Sequence, residues 1–160
     1  MEVVLSDERR ARVSKRLARN CNFLKVAVEH GAGDDDEPMP LAGVRPEGLK
    51  ALEWFFSCIT DDRLQLIEEY QAQSKQMDIF GRGPLSPNGK EDTWARMGLR
   101  NLTSEQIITI SRASDYLDCS AVNTMLAFRV AWDLAMMDDD TFESAWGPLQ
   151  ESVGDNWEFE

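Results

Sequence analysis

Side chains that could carry out chemistry are few in this chain of 160 residues, and they are scattered along it. The only histidine is His30, directly before Gly31. A triad of Cys or Ser with His would need this one residue, and a lone histidine at a helix end is more typical of a structural or exposed position. None of the motifs CxxC, HExxH, GxGxxG, GxxxxGK[ST] and GxSxG occurs. We therefore expect a protein that is not an enzyme and binds no cofactor.

Carboxylates form two runs, at residues 34–37 and 138–140, and several pairs, such as the pair at 61–62. Carboxylate oxygens bind calcium, but neither run has the glycine and final glutamate of an EF-hand loop at the required spacing. The run at 138–140 is placed to begin a helix, where negative side chains are favoured by about 0.3–1 kcal/mol each. The pair carries no specific signature of acid–base catalysis. We therefore expect no metal site.

The cysteines and the overall charge narrow the possible partners and compartments. Cys21, Cys58 and Cys119 are far apart and each lies among apolar residues, which predicts reduced, buried thiols and points to the cytoplasm or nucleus. The formal net charge of −12 makes nucleic acid and anionic membranes poor partners. No apolar run is long enough to span a bilayer, and residues 1–20 contain no secretory signal.

The length fits one domain, which begins with strand patterns. Residues 2–5 are β-rich, and Ala11, Val13 and Leu17 follow at near period-two spacing, which predicts a hairpin. We expect the nearby basic residues on its exposed face rather than at a phosphate site. They are Arg9, Arg10, Arg12, Lys15, Arg16 and Arg19.

A helix is predicted next, from Cys21 to His30, with Gly31 placed to end it. Segment 39–41 contains a proline, which cannot donate to a neighbouring strand, so we expect at most an edge strand there. The apolar face of the helix should comprise Phe23, Leu24, Ala27 and Val28.

Helical patterns dominate the remainder of the chain. Pro46 suits the first position of a helix, and the Gly/Pro-rich residues 81–90 predict a flexible excursion. Thr103 and Gln106 form a capping box at the start of a later helix. The predicted buried stripes are Leu49, Leu52, Phe56 and Ile59, with a possible continuation at Leu64, Ile67 and Tyr70, and then Ile107, Ile110, Ser114 and Leu117.

Two further helices precede the C-terminal tail. Asp118 can cap a helix over Cys119 to Met137, whose apolar residues on nearly every side predict a central position. After the acidic run, Phe142, Ala145 and Trp146 share one face of a short helix, and Gly147-Pro148 interrupts the chain.

The last residues, 148–160, are acidic but carry Leu149, Val153 and Trp157 four apart, which is one stripe on a helix. Ordering a chain end costs about 1–2 kcal/mol per residue, so an apolar stripe there needs a surface to pack on. That surface is either the helix bearing Phe142 and Trp146 or another protein.

In order, these elements resemble the S-phase-kinase-associated (Skp-type) adaptors of SCF (Skp–cullin–F-box) ubiquitin ligases. Residues 34–41, DDDEPMPL, and the helix reaching Trp54 resemble the family's acidic loop, P-x-P-L motif and helix ending in an aromatic residue. Trp94 matches the tryptophan that closes the variable loop, and residues 113–118, ASDYLD, resemble A-A-N-Y-L-D. Residues 157–160, WEFE, resemble the closing W-x-x-E. The resemblance covers essentially the whole chain in collinear order.

The resemblance implies an α+β, mostly helical protein with a BTB/POZ fold, a small N-terminal sheet and two extra C-terminal helices. Residues 1–137 would form the BTB/POZ core, with the variable loop at about 72–93, and residues 138–160 the F-box-binding helices. Asp115 and Tyr116 would contact a cullin, although Tyr116 also fits a half-buried tyrosine at a helix end. The implied F-box contacts are Phe142, Trp146, Leu149, Val153, Trp157 and Phe159.

Departures from the family leave alternatives open. Asp115 replaces an asparagine with an acceptor-only charge, and Trp132 stands where the family has a small polar residue. The acidic segment before the last helix is missing, since Gly147-Pro148 leads almost directly into the tail. The hypotheses are an F-box adaptor linked to a cullin in the cytoplasm and nucleus, an F-box scaffold without a cullin, and an unrecognised enzyme. For either F-box hypothesis, Trp157→Ala should abolish receptor binding with little change in stability.

Overall fold

The computed structural model describes residues 1–32, 38–74 and 99–147, and these belong to the α+β class with mostly helical content. The three strands are β1 (Glu2–Leu5), β2 (Arg10–Arg12) and β3 (Met39–Leu41). A short 3-10 helix spans Leu99–Asn101. The α-helices are α1 (Lys15–Asn20), α2 (Asn22–Glu29), α3 (Pro46–Cys58), α4 (Asp61–Ser74), α5 (Ser104–Tyr116), α6 (Ser120–Met136) and α7 (Asp139–Trp146).

The strands form one small sheet in the order β2-β1-β3. β1 pairs antiparallel with β2, placing Val3 opposite Ala11, and parallel with β3, placing Val3 opposite Met39. The predicted hairpin is therefore confirmed. β3 is an edge strand, as expected, because Pro40 has no N–H to donate to a further strand.

The hairpin is shorter than predicted, because α1 begins directly after it. The Ser14 hydroxyl accepts a hydrogen bond from the Leu17 backbone N–H at 3.1 Å and caps the helix, so the strand interpretation of Leu17 is wrong. Arg16 lies on α1 instead of the hairpin face. It donates hydrogen bonds to the Ile59 carbonyl at 2.6 Å and to the Asp61 carboxylate at 2.7 Å. This side chain thus connects α1 to the junction of α3 and α4.

Helix α3 lies in the core and begins at Pro46, as predicted. The predicted stripe Leu49, Leu52, Phe56 and Ile59 is buried. The helix ends at Cys58, because Ile59 is extended, and α4 is a separate helix that buries Leu64 and Ile67. α3 crosses α5 closely, since a Cβ added at Gly48 would lie 2.8 Å from the Ala113 Cβ.

The capping box at the start of α5 is confirmed, with Gln106 N–H donating to Thr103 Oγ1 at 3.2 Å and Thr103 N–H donating to Gln106 Oε1 at 2.9 Å. The predicted stripe Ile107, Ile110, Ser114 and Leu117 is buried. The prediction that Asp118 caps α6 is wrong. Its φ of 52° is left-handed, and Cys119 occupies the N-cap position.

The prediction of three reduced, buried cysteines is wrong. Cys21 and Cys119 form a disulfide across 98 residues of sequence, and Cys58 is a free but exposed thiol. Spacing alone does not reveal the pair, because only the folded chain brings α2 and α6 together. The inference from reduced thiols to the cytoplasm or nucleus therefore loses its basis.

Several predicted features lie outside the described residues. These are the acidic loop at 34–37, the Gly/Pro-rich excursion at 81–90, Trp94 and the tail at 148–160. The side chains of Tyr70 and Trp132 lie outside the description as well. Within the described ranges, no helix combines the length and apolar character needed to cross a membrane.

Candidate functional site

Tyr116 is the last residue of α5, and its aromatic ring is 41% exposed. The ring covers Gly43, where a β-carbon would collide with it. It also packs against Phe23 of α2, with ring centroids 5.8 Å apart and planes tilted by 55°. Asp115, the other predicted cullin contact, precedes it in α5 and is also exposed. We name the surface formed by Tyr116 and the adjoining side of α2 the Tyr116 face.

An open groove of about 510 Å³ runs along the Tyr116 face. Its apolar wall includes Phe23 and Val26, which are 41% and 52% exposed. Asn22 and Asp118 also line the groove, and the Asn22 amide donates to the Asp118 carboxylate at 2.9 Å. The groove therefore has a mostly apolar lining that includes one carboxylate, an arrangement suited to an apolar side chain of a protein partner.

The exposed side of α2 was missed by the sequence reasoning. Phe23, Leu24, Ala27 and Val28 were expected on one buried face, but of these only Leu24 is fully buried. Apolar residues occupy five of the eight positions of α2, more than one buried face can hold. That excess is the signal that could have indicated a second, partner-facing side.

Helix α7 carries the described part of the predicted F-box surface. Phe142 and Trp146 stack one turn apart, with ring centroids 6.2 Å apart and planes 29° from parallel. No residue of α7 is buried, although Trp146 packs partly against the core. The Ser104 hydroxyl donates to the Ala145 carbonyl at 2.6 Å and joins α7 to the first turn of α5. α7 is thus attached to the outside of the core.

The N-terminus of α7 is set by Asp138, whose carboxylate accepts the Thr141 backbone N–H at 2.8 Å. This hydrogen bond, followed by one from the Thr141 side chain, lowers the pKa of Asp138. The acidic run at 138–140 therefore acts as the cap and first turn of a helix, as predicted.

Helix α6 is not wholly central, which corrects the expectation from its composition. Its first half is buried, including Val122 and Met125, but Leu134 and Met136 near its end are 61% and 67% exposed. These two residues lie a few positions before α7 in the chain. We use the name C-terminal face for four large apolar side chains at this end of the described chain that are not fully buried, Leu134, Met136, Phe142 and Trp146.

A buried ion pair fixes the middle of α6. The Arg129 guanidinium donates to the Asp133 carboxylate at 3.0 Å and also to the Leu99 carbonyl. Both side chains are largely buried, so the pair holds α6 against the 3-10 helix while the apolar residues beyond it reach solvent.

The predicted site residues therefore have different outcomes. Asp115 and Tyr116 are both exposed at the end of α5, and Phe142 and Trp146 are in contact with each other. Leu149, Val153, Trp157 and Phe159 lie outside the described residues. Across the described ranges, no three His, Cys, Asp or Glu side chains are grouped so that they could hold a metal ion. His30 is exposed at the end of α2, where its Nδ1 donates to the Val26 carbonyl at 2.8 Å.

No family model matches the sequence, and comparisons with curated proteins and with solved structures find no match. The functional assignment therefore depends on the surfaces described above.

Proposed function

We propose that this protein is a non-catalytic adaptor of the Skp type. Its C-terminal face, together with residues 148–160, binds the F-box of a substrate receptor. Its Tyr116 face binds a cullin and so connects the receptor to an SCF-type ubiquitin ligase. The proposed location in the cytoplasm and nucleus rests on the resemblance to Skp-type adaptors, and no longer on the cysteines. The affinity for both partners comes mainly from apolar burial, and the net charge of −12 favours partners with basic surfaces.

One observation carries the proposal. Helix α7 has no buried residue of its own, yet it bears a stacked aromatic pair and follows the exposed Leu134 and Met136. Large apolar side chains that remain exposed on a protein surface are typical of protein interfaces. An appended helix with such a surface is what the resemblance to Skp-type adaptors requires of the F-box-binding end.

The finer fold assignment belongs to the proposal as well. A BTB/POZ core has a small sheet packed among helices, and the three-stranded sheet with its covering helices supports that assignment. The hydrophobic core of the described residues runs from Val3 to Leu126, before α7 begins. This supports a division into a core, residues 1–137, and a C-terminal extension, residues 138–160.

The Tyr116 face supports the cullin-binding half of the proposal. An aromatic ring 41% exposed beside an apolar groove provides the kind of anchor on which interfaces depend. Asp115 adds an exposed acceptor beside it.

A second candidate function is an F-box-binding scaffold that has lost its cullin. The observation that favours it is Asp115, because an asparagine amide both donates and accepts hydrogen bonds whereas this carboxylate only accepts. If a cullin presents hydrogen-bond acceptors opposite this position, the Asp115 carboxylate would repel them.

Co-elution of purified proteins separates these candidates. The full chain is mixed with an F-box domain, with a cullin N-terminal domain, and with both, and each mixture is analysed by size-exclusion chromatography. The adaptor predicts a ternary complex, and the scaffold predicts a binary complex with the F-box domain only. If the F-box domain elutes alone in every mixture, both candidates are wrong.

A further inference from the structure

The Cys21–Cys119 disulfide crosses the seam between α2 and the turn that joins α5 to α6. Cys21 is the N-cap residue of α2, and Cys119 is the N-cap residue of α6. Both are fully buried, with Cα atoms 4.3 Å apart. Since the bond joins the residues that precede two helices, it fixes where α2 begins relative to the end of α5.

Three hydrogen bonds cross the same seam. The Asn22 N–H donates to the Asp118 carbonyl at 3.1 Å, and the Phe23 N–H donates to the Leu117 carbonyl at 3.2 Å. The side chains of Asn22 and Asp118 are also bonded, at 2.9 Å. Asn22, Phe23 and Asp118 all line the groove of the Tyr116 face. The two cysteines are therefore close in sequence to residues that line this groove. Cys21 precedes Asn22 and Phe23, and Cys119 follows Asp118.

We propose that this disulfide is a redox-sensitive clasp that sets the order of the Tyr116 face and, through it, the affinity for the partner bound there. The clasp itself rests on the structure alone, and its effect on cullin binding rests on the proposed function. In the oxidised chain α2 is fixed against Tyr116, and in the reduced chain this side of the groove loosens.

The chemistry is a thiol–disulfide exchange with a thiol such as glutathione as the reductant, which reaches the buried sulfurs when this seam opens locally. Two thiol molecules each lose one hydrogen atom and become joined in one disulfide. The Cys21–Cys119 bond breaks, and each sulfur gains one electron and one proton. The reverse reaction needs a disulfide oxidant and releases two thiols.

The expected loosening follows from the packing around the two sulfurs. Two thiols in non-bonded contact occupy more space than a bonded pair, and both sit in a close-packed interior. After reduction, the hydrogen bonds at Asn22 and Phe23 and the Phe23–Tyr116 ring contact are left to hold α2 at this seam. A partner must then order α2 as it binds, which weakens binding.

Hydrogen exchange tests the clasp without any partner. Full-length protein is measured oxidised, reduced with dithiothreitol, and as the Cys21→Ser/Cys119→Ser variant. The Cys58→Ser variant, which keeps the disulfide, is the control. We expect amides of Asn22–Glu29 to exchange about tenfold faster in the reduced and double-variant proteins, with α3 unchanged. Equal exchange in both redox states, or faster exchange along the entire chain, overturns the clasp.

Titration with a cullin N-terminal domain tests the effect on binding. We expect reduction to raise the Kd about tenfold in the wild type and in Cys58→Ser, and to leave the double variant at the weaker value. If the affinity is the same before and after reduction although hydrogen exchange in α2 changes, the disulfide does not control cullin binding. If neither redox state binds, the cullin half of the proposed function fails, and the exchange measurement alone decides the clasp.

Discussion

Tyr116 combines a structural contact with an available surface in one side chain. Its ring covers Gly43 and packs on Phe23, yet a large part of it reaches solvent. Sequence reasoning left two interpretations open, a half-buried helix end and a partner contact. The observed position fits both a half-buried helix end and a partner contact. A binding measurement separates these two interpretations.

We expect Tyr116→Ala to weaken cullin binding by about 2 kcal/mol, since aromatic anchors at interfaces typically contribute this much. The melting temperature should change little, because the ring is only partly buried. Isothermal titration and thermal unfolding check the two effects, with Tyr116→Phe as the control that keeps the ring. A large loss of stability with unchanged affinity would show that Tyr116 serves packing alone.

Asp138 gives a pH-dependent prediction. Since its folded pKa is lowered by Thr141, its ionised form stabilises the folded state above the unfolded value, about 3.9 for an aspartate. That stabilisation is lost as the pH falls through the lowered folded pKa. We expect Asp138→Ala to reduce hydrogen-exchange protection of α7 at neutral pH, and the difference from wild type to shrink in acid. Asp138→Asn, which keeps a capping oxygen, should show a smaller loss without this pH dependence.

At the scale of elements, helix boundaries follow mainly from local chemistry. Pro46, the Thr103–Gln106 capping box and the acidic start of α7 were predictable because each acts within one helical turn. The start of α1 at Ser14 is not evident from the sequence, because apolar residues separated by charged ones also fit a strand pattern. Which side chains are exposed was harder to predict than where the helices begin and end. The exposed residues of α2 and α6 depend on which elements pack against these helices.

The α3–α5 crossing depends on the absence of a side chain at Gly48. We expect Gly48→Ala to destabilise the protein by about 1–2 kcal/mol, because its Cβ would lie 2.8 Å from the Ala113 Cβ. The better helix propensity of alanine offsets part of this loss. Chemical denaturation of both single variants and of Gly48→Ala/Ala113→Gly measures the coupling. If the second substitution restores none of the loss caused by the first, the two helices do not meet there as described.

At the scale of the whole molecule, contacts between residues far apart in sequence could not be predicted. Cys21 and Cys119 are 98 residues apart, and Arg16 reaches Ile59 and Asp61 across more than 40. No local pattern encodes either contact. The α+β class and its small N-terminal sheet could be predicted, because strand and helix patterns are local features of the sequence.

The central claim is that the C-terminal face binds an F-box, and calorimetric titration of the full chain with a purified F-box domain tests it most directly. Leu134→Asp changes an exposed residue of that face, and Val28→Asp is a matched control on α2, where Val28 is 50% exposed. We predict that wild type and Val28→Asp bind equally, and that Leu134→Asp binds at least about tenfold more weakly with an unchanged melting temperature. Equal binding by all three proteins, or none by the wild type, would contradict the claim.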